Sequence, residues 1–191
     1  MFAAPMVRWS NYAHPWIHSD ARRNILLNRM PCVGAARLCM SLLTPPDPFY
    51  TAFRGNFSSI LSWAQLESFW ERVRARAGAG WYVYAIGEAL PGQALNTTQV
   101  LAFVHAIDAL LHQDHYEDYC GIVYTDSTTE PTFIKIFDPF HLGTSCGTSK
   151  NPPVPGWIMS LIAPQLLETT RPLPENRRRW WRKLWDETER P

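Results

Sequence analysis

Two residue pairs punctuate this chain more sharply than anything else in it: Ser62 with Gln65, and Asn96 with Gln99. A Ser or Asn followed three residues later by Gln can cap a helix reciprocally, side chain to backbone in both directions. Each pair leads directly into apolar residues at three- and four-residue spacing, the mark of an amphipathic helix. After Ser62 these are Trp63, Leu66, Trp70, Val73 and Ala77; after Asn96 they are Val100, Phe103, Val104, Ile107, Leu110 and Leu111. The first helix has Glu67, Glu71, Arg72, Arg74 and Arg76 for its solvated face, acids ahead of arginines as the helix dipole favours. Gly78 and Gly80 supply its stop. The second ends in the polar, acidic run His112–Asp118.

Strand signals fill the rest of the block from Ser62 to Asp138. Trp81–Ile86 is β-branched and aromatic on both alternating faces, which predicts cover on both sides and a central place in a sheet. Tyr119–Thr125 and Thr132–Phe137 flank Asp126–Pro131, a run of turn formers, so a hairpin is expected there. Trp157–Ile162, bounded by Pro155 and Pro164, reads as a last strand. The predicted fold is α+β: a small mixed or antiparallel sheet of three to four strands, two main helices and a C-terminal amphipathic helix.

Sixteen prolines and an uneven charge distribution divide the chain of 191 residues further. The division expected is 1–57 as leader and Pro-rich connector, 58–164 as a single α+β domain, and 165–191 as a basic, Trp-rich tail. Residues 1–39 carry five arginines against one aspartate, net +4, and read as a disordered leader, an over-extended start before Met40, or a transit-type segment. The span 58–170 carries five bases against eleven acids, net −6; the tail 171–191 carries seven against four, net +3. An acidic body between basic ends argues against a nucleic-acid-binding core.

The four cysteines, Cys32, Cys39, Cys120 and Cys146, form no CxxC and no paired ligand set. No signal peptide is evident, and no apolar run approaches the roughly 20 residues of a membrane span. Free thiols in a reducing cytoplasm are the expectation. GxGxxG, the P-loop, HExxH and GxSxG are all absent, so the common nucleotide-dependent and serine-hydrolase chemistries are not expected. No catalytic residue is assigned.

Four clusters hold what chemistry the sequence offers. Cys120, His141, Cys146 and one of His112 or His115 would make a tetrahedral set for zinc or another soft transition metal if the loop after the hairpin folds back. Set against this, and ranked ahead of it, Cys120 reads as a small buried hydrophobe and the histidines as residues of wet loops. Cys146, in Ser-Cys-Gly near His141, is the candidate thiol nucleophile. Asp114, Glu117, Asp118 and Asp138 gather at one sheet end, as an acid/base or cation pair or as solvated loop charge. Lys135, between Phe133 and Phe137, is either a binding lysine or a rim residue with its stem on apolar surface and its amine in water.

The tail is the most unusual segment. As a helix it puts Trp180, Trp181, Leu184 and Trp185 on one stripe, with Arg178, Arg179, Arg182 and Lys183 beside and across from it. Trp180, Trp181, Trp185, Arg178 and Arg182 are therefore the candidate binding residues, since Trp and Arg dominate interface hot spots. A protein partner and the chain's own acidic body rank level as docking surface; an anionic membrane surface ranks behind them. The reading is of a small cytoplasmic accessory protein that binds a protein partner, with a metal- or thiol-dependent protein using Cys120, His141 and Cys146 as the alternative.

Overall fold

Ser62 and Asn96 cap helices as their spacing predicts, and both capping boxes are complete. Ser62 Oγ accepts from Gln65 N–H at 3.2 Å while Gln65 Oε1 accepts from Ser62 N–H at 3.2 Å. Asn96 and Gln99 make the same exchange at 2.9 and 3.0 Å. These observations come from a computed structural model, which describes residues 46–140, 154–167 and 173–188. In chain order its elements are α1 (Pro48–Phe53), β1 (Ser58–Ile60), α2 (Trp63–Ala75), β2 (Tyr82–Ala85), α3 (Thr97–Asp114), β3 (Val123–Thr125), β4 (Phe133–Ile136), β5 (Trp157–Ser160) and α4 (Glu175–Thr188). The leader 1–39 and most of the loop 140–156 lie outside the described residues.

The strands form one antiparallel sheet in the order β1-β3-β4-β5-β2. Among the described residues it has five strands, more than the three to four expected. The uncounted one is β1, whose three residues Ser58, Ser59 and Ile60 are too few to show a period. The hairpin of β3 and β4 is present, and Asp126 builds its turn. One Asp126 carboxylate oxygen accepts the backbone N–H groups of Ser127, Thr132 and Phe133 at 2.9, 3.0 and 3.0 Å, and the other accepts the Thr132 hydroxyl. Aspartate is favoured in turns because its side chain can substitute for a missing backbone acceptor in this way.

Strand β2 corrects an expectation. It is apolar on both faces and covered on both, but among the described residues it lies at the sheet edge and pairs with β5 alone. Cover on two faces comes from the layers above and below, whereas a central place depends on lateral neighbours, which the side-chain pattern does not record. On one face, Val83 and Ala85 pack with Ile134, Ile136, Trp157 and Met159 under α2, α3 and α4. On the other, Tyr84 and Ile86 join Phe133, Ile158, Phe49 of α1 and Leu167. Asp47 and Pro48 start α1 as N-cap and first helical residue, and the Asp47 carboxylate accepts Phe49 N–H at 2.8 Å.

The three largest fully buried side chains are Trp70, Trp81 and Trp157. Two of them satisfy their indole N–H within the fold. Trp70 donates to Asp108 of α3 at 3.1 Å, tying α2 to α3, and Trp81 donates to Arg76 O at 3.0 Å, closing the end of α2. Buried indoles need such partners, because an unsatisfied donor costs about 1–3 kcal/mol.

Candidate functional site

The C-terminal helix lies on the body of the chain. Trp180, Trp181, Leu184 and Trp185 are half-buried against the core formed with α2 and α3. Trp181 meets Phe103 of α3 edge to face at 6.2 Å, Trp185 stacks on the same ring at 6.4 Å, and Trp180 meets Trp157 at 5.6 Å. Arg178 is exposed and pairs with Glu88 at 2.6 Å; Arg182 is exposed and pairs with Glu175 at 2.8 Å.

Arg177, one residue before the predicted set, is the buried anchor of this helix. It is 4% exposed and forks onto Asp138, Nε to Oδ2 at 3.0 Å and Nη2 to Oδ1 at 3.1 Å. Its Nη1 also reaches Asp114 Oδ2 at 2.5 Å. Burial acts to lower the Arg177 pKa, but the hydrogen bonds and charges of Asp138 and Asp114 outweigh it, so the net shift is upward. The carboxylates Asp114 and Asp138 do meet, as the sequence suggested, but across a guanidinium that neutralises them. Glu117 and Asp118 remain exposed in the loop before β3.

Lys135 corrects a second expectation. It stands on β4, the middle strand, and its amine turns inward to a carbonyl and two rings. Nζ donates to Phe53 O at 2.6 Å and lies 4.2 and 3.8 Å from the ring centroids of Phe53 and Phe57. The ammonium thus closes the C-terminal end of α1, where a cation complements the exposed carbonyls. Burial lowers its pKa from 10.5 to about 8.

Cys120 is fully buried and unpaired, and burial pushes its thiol pKa up, away from thiolate. His115 Nε2 sits 2.9 and 2.8 Å from the carbonyl oxygens of Tyr119 and Cys120, which requires its proton to be on Nε2. His112 lies over Trp63 at 4.2 Å and pairs with Asp108 at 3.7 Å. Among the described residues, no group of three or more His, Cys, Asp and Glu is arranged to hold a metal ion. His141 and Cys146, the remaining members of the predicted set, lie outside the described residues.

A groove of about 550 Å³ runs between the edge strand β1 and helix α2. Ser59, Ile60 and Leu61 form one wall. Ala64, Ser68 and Arg72, one row at four-residue spacing, form the other, with Gln65 and Phe69 beside them and Thr128 at the far end. Small side chains in that row keep the groove open. Arg72 Nη1 donates to Thr128 O at 3.1 Å and fixes the far end.

The sheet register aims the outer edge of β1. Asp126 N–H bonds Phe133 O, and Phe137 N–H bonds Ile122 O, so β3 turns the backbone groups of its even-numbered residues toward β4. By alternation, Val123 and Thr125 face β1, and their partners Ile60 and Ser58 face them. Ser59 therefore directs its N–H and C=O to the edge that no described strand covers. Its Oγ is buried without a hydrogen-bond partner.

The loop before β3 is pinned to the C-terminal end of β1 on its β3 side. Cys120 N–H bonds Leu61 O at 3.0 Å, and Trp63 Nε1 donates to Glu117 O at 3.1 Å, which holds residues 116–119 beside Leu61. Gly121, with φ +65°, turns the chain under the Tyr119 ring, and a β-carbon there would lie 3.1 Å from that ring. Tyr116 and Tyr119 are 88% and 56% exposed. Sequence reasoning missed this site, because the Ser-Ser-Ile-Leu run gives no period and the register that frees Ser59 is a property of three strands together. The chain was compared with models of protein families, with curated proteins and with solved structures, and none matches.

Proposed function

We propose that this chain is a protein-interaction module that takes an extended segment of a protein partner as an added strand on β1. The observation that carries the reading is the groove between a sheet edge and a helix, with the Ser59 backbone groups facing outward along it. Strand addition draws affinity from main-chain hydrogen bonds and specificity from pockets for alternate side chains. Both elements stand together here, and the volume lies in the usual range for ligand clefts, roughly 300–1,000 Å³. The opposite edge is less open, since Leu95 N–H bonds Trp81 O at 2.7 Å just before β2. In this reading α4, with Trp180, Trp181, Trp185, Arg178 and Arg182, holds the scaffold, and the partner docks on the other side of the sheet order. The unpaired Cys120 thiol accords with a reducing cytoplasm as the compartment.

Proline at Ser59 removes one outward N–H and leaves the β3 ladder its bonds, a substitution that edge strands tolerate. Random peptides displayed on phage and selected against the full chain should lose about two- to tenfold in affinity on Ser59→Pro, the worth of one main-chain hydrogen bond. Selected peptides that bind wild type and Ser59→Pro equally, with both proteins folded by near-ultraviolet circular dichroism, would refute strand addition.

A further inference from the structure

One charged side chain lines the groove beside β1, Arg72, and we infer from its place and its bonding that the partner strand ends there in a free C-terminal carboxylate. This rests on the reading of β1 as the docking edge and adds the chemistry of what docks. From the Leu61 end, the α2 wall runs through the uncharged Ala64 and Ser68 and reaches Arg72 beside Thr128. Arg72 Nη1 donates to Thr128 O, and this bond between two lining residues joins α2 to the β3–β4 turn and closes that end of the groove. The rest of the guanidinium is unspent. Arg72 is exposed, its Nε and Nη2 have no acceptor among the described residues, and it forms no ion pair among them. Arg177 shows what that edge can hold: its Nε and Nη2 fork onto Asp138 at 3.0 and 3.1 Å while Nη1 turns to Asp114. With Nη1 engaged in the same way, Arg72 keeps the same two donors for a bidentate carboxylate.

The acids of the neighbourhood do not fill that place. Asp126, in the same turn, spends its carboxylate on three backbone N–H groups and the Thr132 hydroxyl. Glu71 and Glu130 are exposed and pair with no arginine among the described residues. Arg76 adds a second positive charge at the turn, where it donates to Pro131 O. Strand direction then selects which carboxylate arrives. Every pairing in the sheet is antiparallel, and a strand added antiparallel to β1 runs toward Ser58, the end of β1 nearer the β3–β4 turn. It brings its C-terminal end to Arg72. A segment that ran on would have to leave the groove at the Arg72–Thr128 bond, whereas a chain end stops against it. A parallel strand would bring its N-terminal end there, and an amino group would be repelled.

The test uses short synthetic peptides of one alternating threonine–valine sequence, labelled at the amino end. One has a free C-terminal carboxylate, one a C-terminal amide, and one an amide with glutamate as its last residue. Binding to the full chain is followed by fluorescence anisotropy at low and high salt. The free acid is expected to bind about fivefold more tightly than the amide at low salt, the upper end for an exposed charge pair. The gap should shrink at high salt and close in Arg72→Gln, while the amide binds that variant as it binds wild type. Arg72→Lys keeps the charge without the fork and should keep only part of the gap. These variants alter one exposed side chain, so they serve even if Ser59→Pro unfolds the chain. An acid preference that persists in Arg72→Gln, or glutamate-amide binding as tight as free-acid binding, would overturn the inference. Acid and amide binding equally, with both weakened on Ser59→Pro, would overturn the terminal carboxylate and leave the docking edge standing. Free-acid binding indifferent to Ser59→Pro, or no binding of any peptide, would overturn both.

Discussion

Lys135 offers the sharpest test of how the second face of the sheet is held. Its amine is enclosed by the Phe53 and Phe57 rings and the Phe53 carbonyl, and burial lowers its pKa from 10.5 to about 8. The folded chain therefore holds this proton less tightly than the unfolded chain. Between pH 10.5 and 8 the unfolded state takes up the proton first, so stability falls as the pH drops through that window and levels off below it. Integrating the two titrations gives a wild type about 2 kcal/mol more stable at pH 9.5 than at pH 7 from this group alone. Lys135→Met keeps the length of the stem and removes the titration. Urea unfolding of both proteins at pH 7 and 9.5 should show the difference between them shifting by about 2 kcal/mol in favour of wild type at the higher pH. Tyrosine and cysteine titrations are common to both proteins and cancel in that difference. A difference that does not move with pH would refute the reasoning, because the rings and the carbonyl would then be compensating the buried charge in full.

Two further outcomes follow from buried polar groups. Arg177→Met leaves Asp114 and Asp138 facing each other without a counter-charge and should cost about 3–5 kcal/mol by urea unfolding; adding Asp138→Asn should recover part of that loss, and a cost below about 1 kcal/mol would contradict the burial of the cluster. Asp126→Ala strips the acceptor from three backbone N–H groups of the hairpin turn and should cost about 2–3 kcal/mol, with amide exchange quickening at Ser127, Thr132 and Phe133 before the rest of the sheet.

Local structure was legible in this sequence wherever a short-range rule governs it. Ser62, Asn96 and Asp126 each act within seven residues, and each makes the contacts its neighbours imply. Reasoning from the pattern stopped where lateral or long-range geometry takes over. The apolar faces of Trp81–Ile86 reported the layers over β2 but not its place at the edge. Lys135 looked like a rim residue because its own strand cannot show that Phe53, 82 residues earlier in the chain, supplies a carbonyl and a ring. Arg177 sits in a run of three arginines, and nothing local separates it from Arg178 and Arg179. Its carboxylates lie 39 and 63 residues away. The groove beside β1 was hidden for the same reason, since Ser59 faces outward only because Tyr124 is already bonded to β4.

The Arg177 cluster also sets an order of events during synthesis. Asp114 and Asp138 are synthesised before their arginine. At roughly 5–20 residues per second, the 39 residues between Asp138 and Arg177 take about 2–8 seconds to add. Through that interval the nascent chain carries two uncompensated acids and the uncovered rings of Phe103 and Trp157. Completion of the last helix is what ends that exposure, and a chain released early would keep it.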